Sequence, residues 1–132
     1  MDKTEHFLEG VYWEPIVGYS RAVRRGNVIE ISGTTATSEG EVVGLHDEYL
    51  QTKFILGKFQ TIMHHFGTDL SSIVRTRIFC TDITKWEKIA KAHEEFFGHI
   101  KPATSMYQIS ALINKDLLVE IEATAIINLS SG

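Results

Sequence analysis

Alternation of apolar and polar positions marks the strands of this chain, and recurrence every three to four residues marks its helices. In LLVEIEATAI, residues 117–126, Val119, Ile121, Ala123 and Ala125 share one side while Leu118, Glu120, Glu122 and Thr124 share the other. The first face suits a core. The second places two carboxylates inside an apolar strand, where they need water, a partner chain or a ligand. In NVIEISG, Ile29 and Ile31 point inward and Val28, Glu30 and Ser32 outward; this strand joins a strand-like run, IVGYSRAV, through RRGN, whose Gly26 and Asn27 suit a tight hairpin. SSIVRTRIFCTD reads as a strand with Val74, Thr76, Ile78 and Cys80 on one side and Arg75, Arg77 and Phe79 on the other. EVV, between Gly40 and Gly44, is a short strand or a loop rung, and two last strands are predicted near 103–110 and 117–127.

Two helices separate these strands. Asp47 is placed to cap the first, in which Ile55, Phe59, Ile62, Met63 and Phe66 recur at helical spacing until Gly67. Thr84 and Glu87 have the spacing of a capping box and open a second helix that closes at Gly98. Two amphipathic helices cover only one face of such a sheet, so the pattern predicts an α+β layer architecture with a mixed or antiparallel sheet and one bare sheet face. That face carries Glu30, Ser32, Glu120, Glu122 and the arginines, too apolar for plain solvent surface and too charged for a core. Self-association that buries it, with arginines and glutamates paired at the seams, satisfies both facts.

Length and composition narrow the function classes. The 132 residues predict a single domain, 1–132, with residues 1–15 an extension ahead of the pattern. A net charge of -4 argues against holding a phosphate backbone, and so against a nucleic-acid partner. The one cysteine, Cys80, has no internal partner, the opening MDKTEHFLEG lacks the pattern of a signal peptide, and no run is long enough to span a membrane, so a cytoplasmic protein is expected. His64 and His65 stand beside core positions without HxxxH or HExxH spacing, and no metal site is expected.

NVIEISGTT, VRTRIFCTDITKWEKIAKAHEEFFG, PATSMYQISAL and LLVEIEATAI, in that order, resemble the Rid family, the reactive intermediate deaminases also called YjgF, over about residues 16–127. The resemblance implies a chorismate-mutase-like fold, a homotrimer whose sheets form an inner barrel, and small-molecule clefts between adjacent subunits. It also implies hydrolysis, without a cofactor, of enamines or imines released by pyridoxal-phosphate enzymes. Tyr19, Ser32 and Gly33, Ser105 and Glu120 match the family's site, Glu120 as the carboxylate that orients or activates water. Two positions depart. Thr104 stands where the family's PARS arginine would grip a substrate carboxylate, and Ala90 stands where an asparagine would be.

Each candidate has a plainer reading. Glu120 could be a seam carboxylate paired with Arg75 or Arg77, and Glu122 reads better as such a pair. His93 lies on the stripe of Trp86, Ile89, Ala90 and Phe97, where a histidine is usually a hydrogen-bonded core residue; one turn from Ala90, it could instead lend a titratable donor to the cleft. Arg21 is a candidate replacement cation, with a solvated surface arginine the favoured reading, and Cys80 reads as a core thiol. The expected function is therefore a cofactor-independent deaminase or hydrolase with altered specificity, its catalytic residue Glu120 and its substrate-binding residues Tyr19, Ser32, Gly33, Thr104, Ser105 and His93. The alternative is a trimeric ligand-binding or regulatory protein that has lost the chemistry. Endoribonuclease activity is disfavoured by the acidic balance.

Overall fold

The computed structural model describes residues 3–128. Eight strands and three helices follow in the order β1 (Thr4–Phe7), α1 (Trp13–Val17), β2 (Ala22–Arg25), β3 (Val28–Thr35), β4 (Thr37–Ser38), β5 (Glu41–Val42), α2 (Glu48–His65), β6 (Ile73–Cys80), α3 (Trp86–Phe97), β7 (Ala103–Gln108) and β8 (Val119–Ile126). Six of them form one sheet in the order β1-β2-β3-β8-β6-β7, antiparallel except for the parallel pair β6 and β7, which α3 connects. The architecture is the α+β arrangement predicted, a mostly antiparallel sheet with its helices on one face.

Alternation decides which residues meet the helices. Ile29 and Ile31 of β3, Ile78 and Cys80 of β6, and Val119, Ile121, Ala123 and Ala125 of β8 are buried against Ile55, Leu56, Phe59, Ile62 and Met63 of α2 and Ile89 and Phe97 of α3. Removing a large side chain from such a layer costs about 2–5 kcal/mol, because the cavity only partly collapses. Asp47 caps α2, accepting from the Leu50 amide at 3.0 Å, and Gly67 follows its end with φ of 78°. Gln51 is one of the buried polar residues: its amide donates to Gly44 O and Asp116 O and accepts from the Leu118 amide, tying the approach to β8 onto α2.

Several local readings change. IVGYSRAV does not form one strand: Trp13–Val17 is a short helix ended by left-handed Gly18, and strand pairing with β3 begins only at Ala22. Gly18, whose amide donates to Glu14 O at 2.9 Å, ends this helix after about one turn, and the buried Glu14 carboxylate accepts the Glu9 and Gly10 amides at 2.9 and 2.8 Å. Thr84 does not cap α3. Asp82 instead caps a 3₁₀ turn over Ile83–Lys85, accepting from the Thr84 amide, and α3 starts at Trp86, which is 52% exposed and off the buried stripe. Val74 is also exposed, because a shift of register between Ile73 and Arg75 turns Ile73 inward in its place. The segment ahead of the pattern contains β1, Thr4–Phe7, an edge strand paired antiparallel with β2.

The second sheet face carries what the alternation placed there. Glu30, Ser32, Arg75, Arg77, Glu122 and Thr124 stand on it, with Val28 and Ile126 exposed at one end. Glu122 pairs with Arg77 of its own chain at 3.7 Å, and Thr124 donates to Glu30 at 2.7 Å. No helix among the described residues covers this face.

Candidate active site

Ser32 and Gly33 do not end their strand. Between the pairs Ile31–Ala123 and Thr34–Ile121, β3 spends one residue more than β8, so the SG dipeptide forms a β-bulge opposite Glu122, and β3 runs on to Thr35. The bulge places Gly33 directly against Glu120: a Cβ on Gly33 would stand 2.7 Å from Glu120 Cδ and 2.8 Å from Oε2. Only a glycine leaves room there for the carboxylate. The Ser32 hydroxyl donates to Ser20 O at 2.7 Å, fixing the bulge to the segment before β2.

Arg21 organises this corner and is not the solvated arginine favoured from sequence. It is buried, and its guanidinium donates to Gly33 O at 2.5 Å, Thr34 Oγ1 at 3.3 Å and Tyr19 Oη at 3.1 Å. Its Nε lies 3.3 Å from the Glu9 carboxylate, which also holds Lys58 Nζ at 3.0 Å. Lys58 in turn donates to Thr35 O and Thr37 O. Tyr19 lies outside any strand, yet it reaches the bulge through Arg21. The sequence offered the spacing of Tyr19 and Arg21, but strand alternation was the wrong geometry for a segment that follows a helix.

Glu120 is half-buried, and burial is the main reason its carboxyl is held above the usual glutamate range; the Glu122 charge adds to the rise and Arg21 opposes it. Neither Arg75 nor Arg77 pairs with it among the described residues. This is a carboxylate made more basic by its surroundings, suited to accept a proton from water.

The other candidates lie elsewhere. Thr104 sits on β7 beside Thr76 of β6, on the helix side of the sheet. The Thr76 hydroxyl, fully buried, bridges His93 Nε2 at 2.9 Å and Thr104 Oγ1 at 2.8 Å, and Thr104 also reaches Pro102 O at 3.2 Å. His93 stacks near Phe97, and burial holds its pKa below the ordinary histidine value. Ser105 faces the opposite way and accepts from Arg75 at 3.0 Å. It stands in the row of Arg77 and Glu122, two strands from Glu120, so one chain does not bring the two together. A depression of about 460 Å³ on the open face is walled by Tyr19, Ser20, Glu30, Ser32, Arg77 and Glu122; neither Glu120 nor Thr104 lines it.

The model of the family described as endoribonuclease L-PSP matches residues 11–127. The chain belongs to this family, the Rid or YjgF family. It is similar to the crystal structure of Rv2704 from Mycobacterium tuberculosis, described as a member of the YjgF/YER057c/UK114 family, with 38% identity, a TM-score of 0.86, and coverage of 95% of this chain and 100% of that one. The 3-aminoacrylate deaminase RutC of Acinetobacter baylyi is 28% identical over 84% of this chain and 88% of its own length. The chloroplastic Reactive Intermediate Deaminase A of Arabidopsis thaliana is 30% identical over 80% of this chain and 58% of its own.

Cys80 is buried, and desolvation pushes its thiol up, which leaves it protonated and unsuited to act as a nucleophile. Among the described residues no group of three or more His, Cys, Asp or Glu side chains could hold a metal ion, and no helix is long and apolar enough to cross a membrane. His64 and His65 are exposed on α2.

Proposed function

We propose that this Rid-family chain is a cofactor-independent deaminase that hydrolyses a small imine or enamine at a cleft formed between subunits of a homotrimer. The observation that carries the reading is the Glu120 carboxylate, half-desolvated, raised in pKa and seated against the Gly33 bulge. Two relatives named as deaminases support the same chemistry. Glu120 takes a proton from water as the oxygen adds to the imine carbon. The proton passes to nitrogen, giving a neutral carbinolamine; Glu120 then takes the hydroxyl proton and returns it to nitrogen as the C–N bond breaks, so that the products are a carbonyl compound and ammonia, with the carboxylate restored.

Assembly between subunits is favoured because the candidates fall into two groups on one chain. Tyr19, Ser32, Gly33 and Glu120 gather around Arg21, whereas His93 and Thr104 lie across β6 on the other side of the sheet. Thr104 lies on the edge strand β7, so a neighbouring copy packed on the bare face and reaching round that edge would join one group to the other.

Specificity is changed at Thr104. A desolvated two-point contact between guanidinium and carboxylate contributes about 2–4 kcal/mol, of which a hydroxyl recovers little. Efficient clearance of 2-aminoacrylate is therefore not expected. Imines generated in situ by a pyridoxal-phosphate lyase test the reading directly, with ammonia release followed against spontaneous hydrolysis. Acceleration for at least one imine is the expected result, and none across a panel spanning acids, amides and ketones would contradict it.

A further inference from the structure

We infer that the ligand group received at Thr104 is an uncharged hydrogen-bonding group, a carboxamide or ketone oxygen or a hydroxyl, and that the His93–Thr76–Thr104 hydrogen-bond chain recognises it. This names the substrate class of the proposed cleft and rests on that cleft being the binding site.

The strand faces around Thr104 hold no cation. On β7 this side presents Thr104, Met106 and Gln108, and the partners on β6 are Thr76, Ile78 and Cys80. Arg75 lies on the opposite face, where its guanidinium donates to Ser105. In the other group of candidates the cation is Arg21, and Gly33 O, Tyr19 Oη and Glu9 already occupy it. A carboxylate delivered to Thr104 would give up its hydration for one hydroxyl, with no guanidinium on these strand faces to offset the cost.

The chain is instead well suited to a neutral group. Thr76, fully buried, has one proton and stands between two partners, so protons in the chain run in one of two directions. If His93 Nε2 donates to Thr76, Thr76 donates to Thr104, and the Thr104 proton goes to Pro102 O at 3.2 Å until a ligand acceptor draws it outward. If Nε2 accepts from Thr76, Thr104 donates inward and presents a lone pair. A neutral imidazole allows both by a change of tautomer. Thr104, exposed at the end of the chain, therefore meets either an acceptor such as a carbonyl oxygen or a donor such as an amide N–H. His93 acts through Thr76 and is a positioning residue.

The test compares binding of 2-oxobutanoate with its isosteric amide, 2-oxobutanamide, by ligand-observed NMR titration on the intact protein. Wild type should bind the amide at least about tenfold more tightly, which corresponds to ~1.4 kcal/mol. Thr104→Val keeps shape and branching but removes the hydroxyl, and should abolish the preference; Thr104→Ser should keep it, and Thr104→Arg should reverse it. His93→Phe should lose the preference with the fold intact by circular dichroism, whereas His93→Gln, which retains a donor and an acceptor, should restore part of it. Equal affinities, tighter binding of the acid, or no binding of either at millimolar concentration would overturn the inference. The readout needs no turnover. Ammonia release with no preference for the amide would sink this inference and leave the deaminase standing, and the reverse pattern would do the opposite.

Discussion

Gly33 and Glu120 share one small volume: the space that a Cβ on Gly33 would need is filled by the Glu120 carboxylate, 2.7 Å away at Cδ. Gly33→Ala therefore does not meet rigid backbone; it pushes the far end of a side chain. The expected outcome is a folded protein, within about 1 kcal/mol of wild type in denaturant unfolding, whose deaminase rate falls by about tenfold or more as the carboxylate is displaced. Unchanged turnover would separate the position of Glu120 from catalysis.

Most of the fold was legible in the sequence, because the buried sheet faces follow strict alternation and α2 has strong periodicity and a clear cap. What alternation could not reveal were the places where the period slips. The bulge at Ser32 and Gly33, the register shift that exposes Val74, and the single-turn helix ahead of Tyr19 are decided by pairing with distant strands. Arg21 was misread for that reason: its neighbours Glu9, Gly33 and Tyr19 come from three segments. The link from His93 to Thr104 was equally hidden, since it passes through Thr76, which by pattern is only a core-facing position.

Arg21→Gln should damage both order and chemistry. It frees the Gly33 carbonyl and the Tyr19 hydroxyl and leaves Glu9 with Lys58 alone. Arg21 is the buried member of its ion pair with Glu9, and removing one partner of a buried pair costs about 3–5 kcal/mol. The Tm should drop accordingly, whereas Glu9→Gln, at a more exposed carboxylate, should cost less. Equal and small effects of the two variants, read by thermal unfolding, would mean that Arg21 does not organise the bulge.

Stability should depend on pH in two windows of opposite sign. Burial raises the Glu120 pKa above the ordinary 4.5, so its favourable contribution is complete below that value and is lost as pH rises through the raised folded pKa. Glu120→Gln should then unfold at the same or a slightly higher temperature than wild type at neutral pH. Burial lowers the His93 pKa below 6.5, so its contribution is complete above 6.5 and is lost as pH falls through the depressed folded pKa. His93→Gln should flatten the acid side of the stability profile, and a profile identical to wild type would contradict the burial argument.

The bare sheet face predicts self-association, the Rid resemblance implies that it is a trimer, and Glu122 reports on it. Within one chain the Arg77–Glu122 pair is about one-third exposed on each side, and such a pair contributes about 0–1 kcal/mol. Buried at a seam, loss of one partner costs ~3 kcal/mol or more. Sedimentation equilibrium should show a trimer for wild type and for Glu120→Gln, and a shift towards monomer for Glu122→Gln. A stable wild-type monomer at micromolar concentration would remove the inter-subunit cleft from the account.

The most direct measurement is the rate of ammonia release by Glu120→Gln beside wild type, on the imine that wild type hydrolyses best. Glutamine keeps the shape and hydrogen bonding of the side chain and removes the base. The predicted result is a loss of at least about a hundredfold, the lower range for a positioned general base, with trimer and melting temperature retained. Full turnover by Glu120→Gln would contradict the assignment and make both carboxylates of the strand structural.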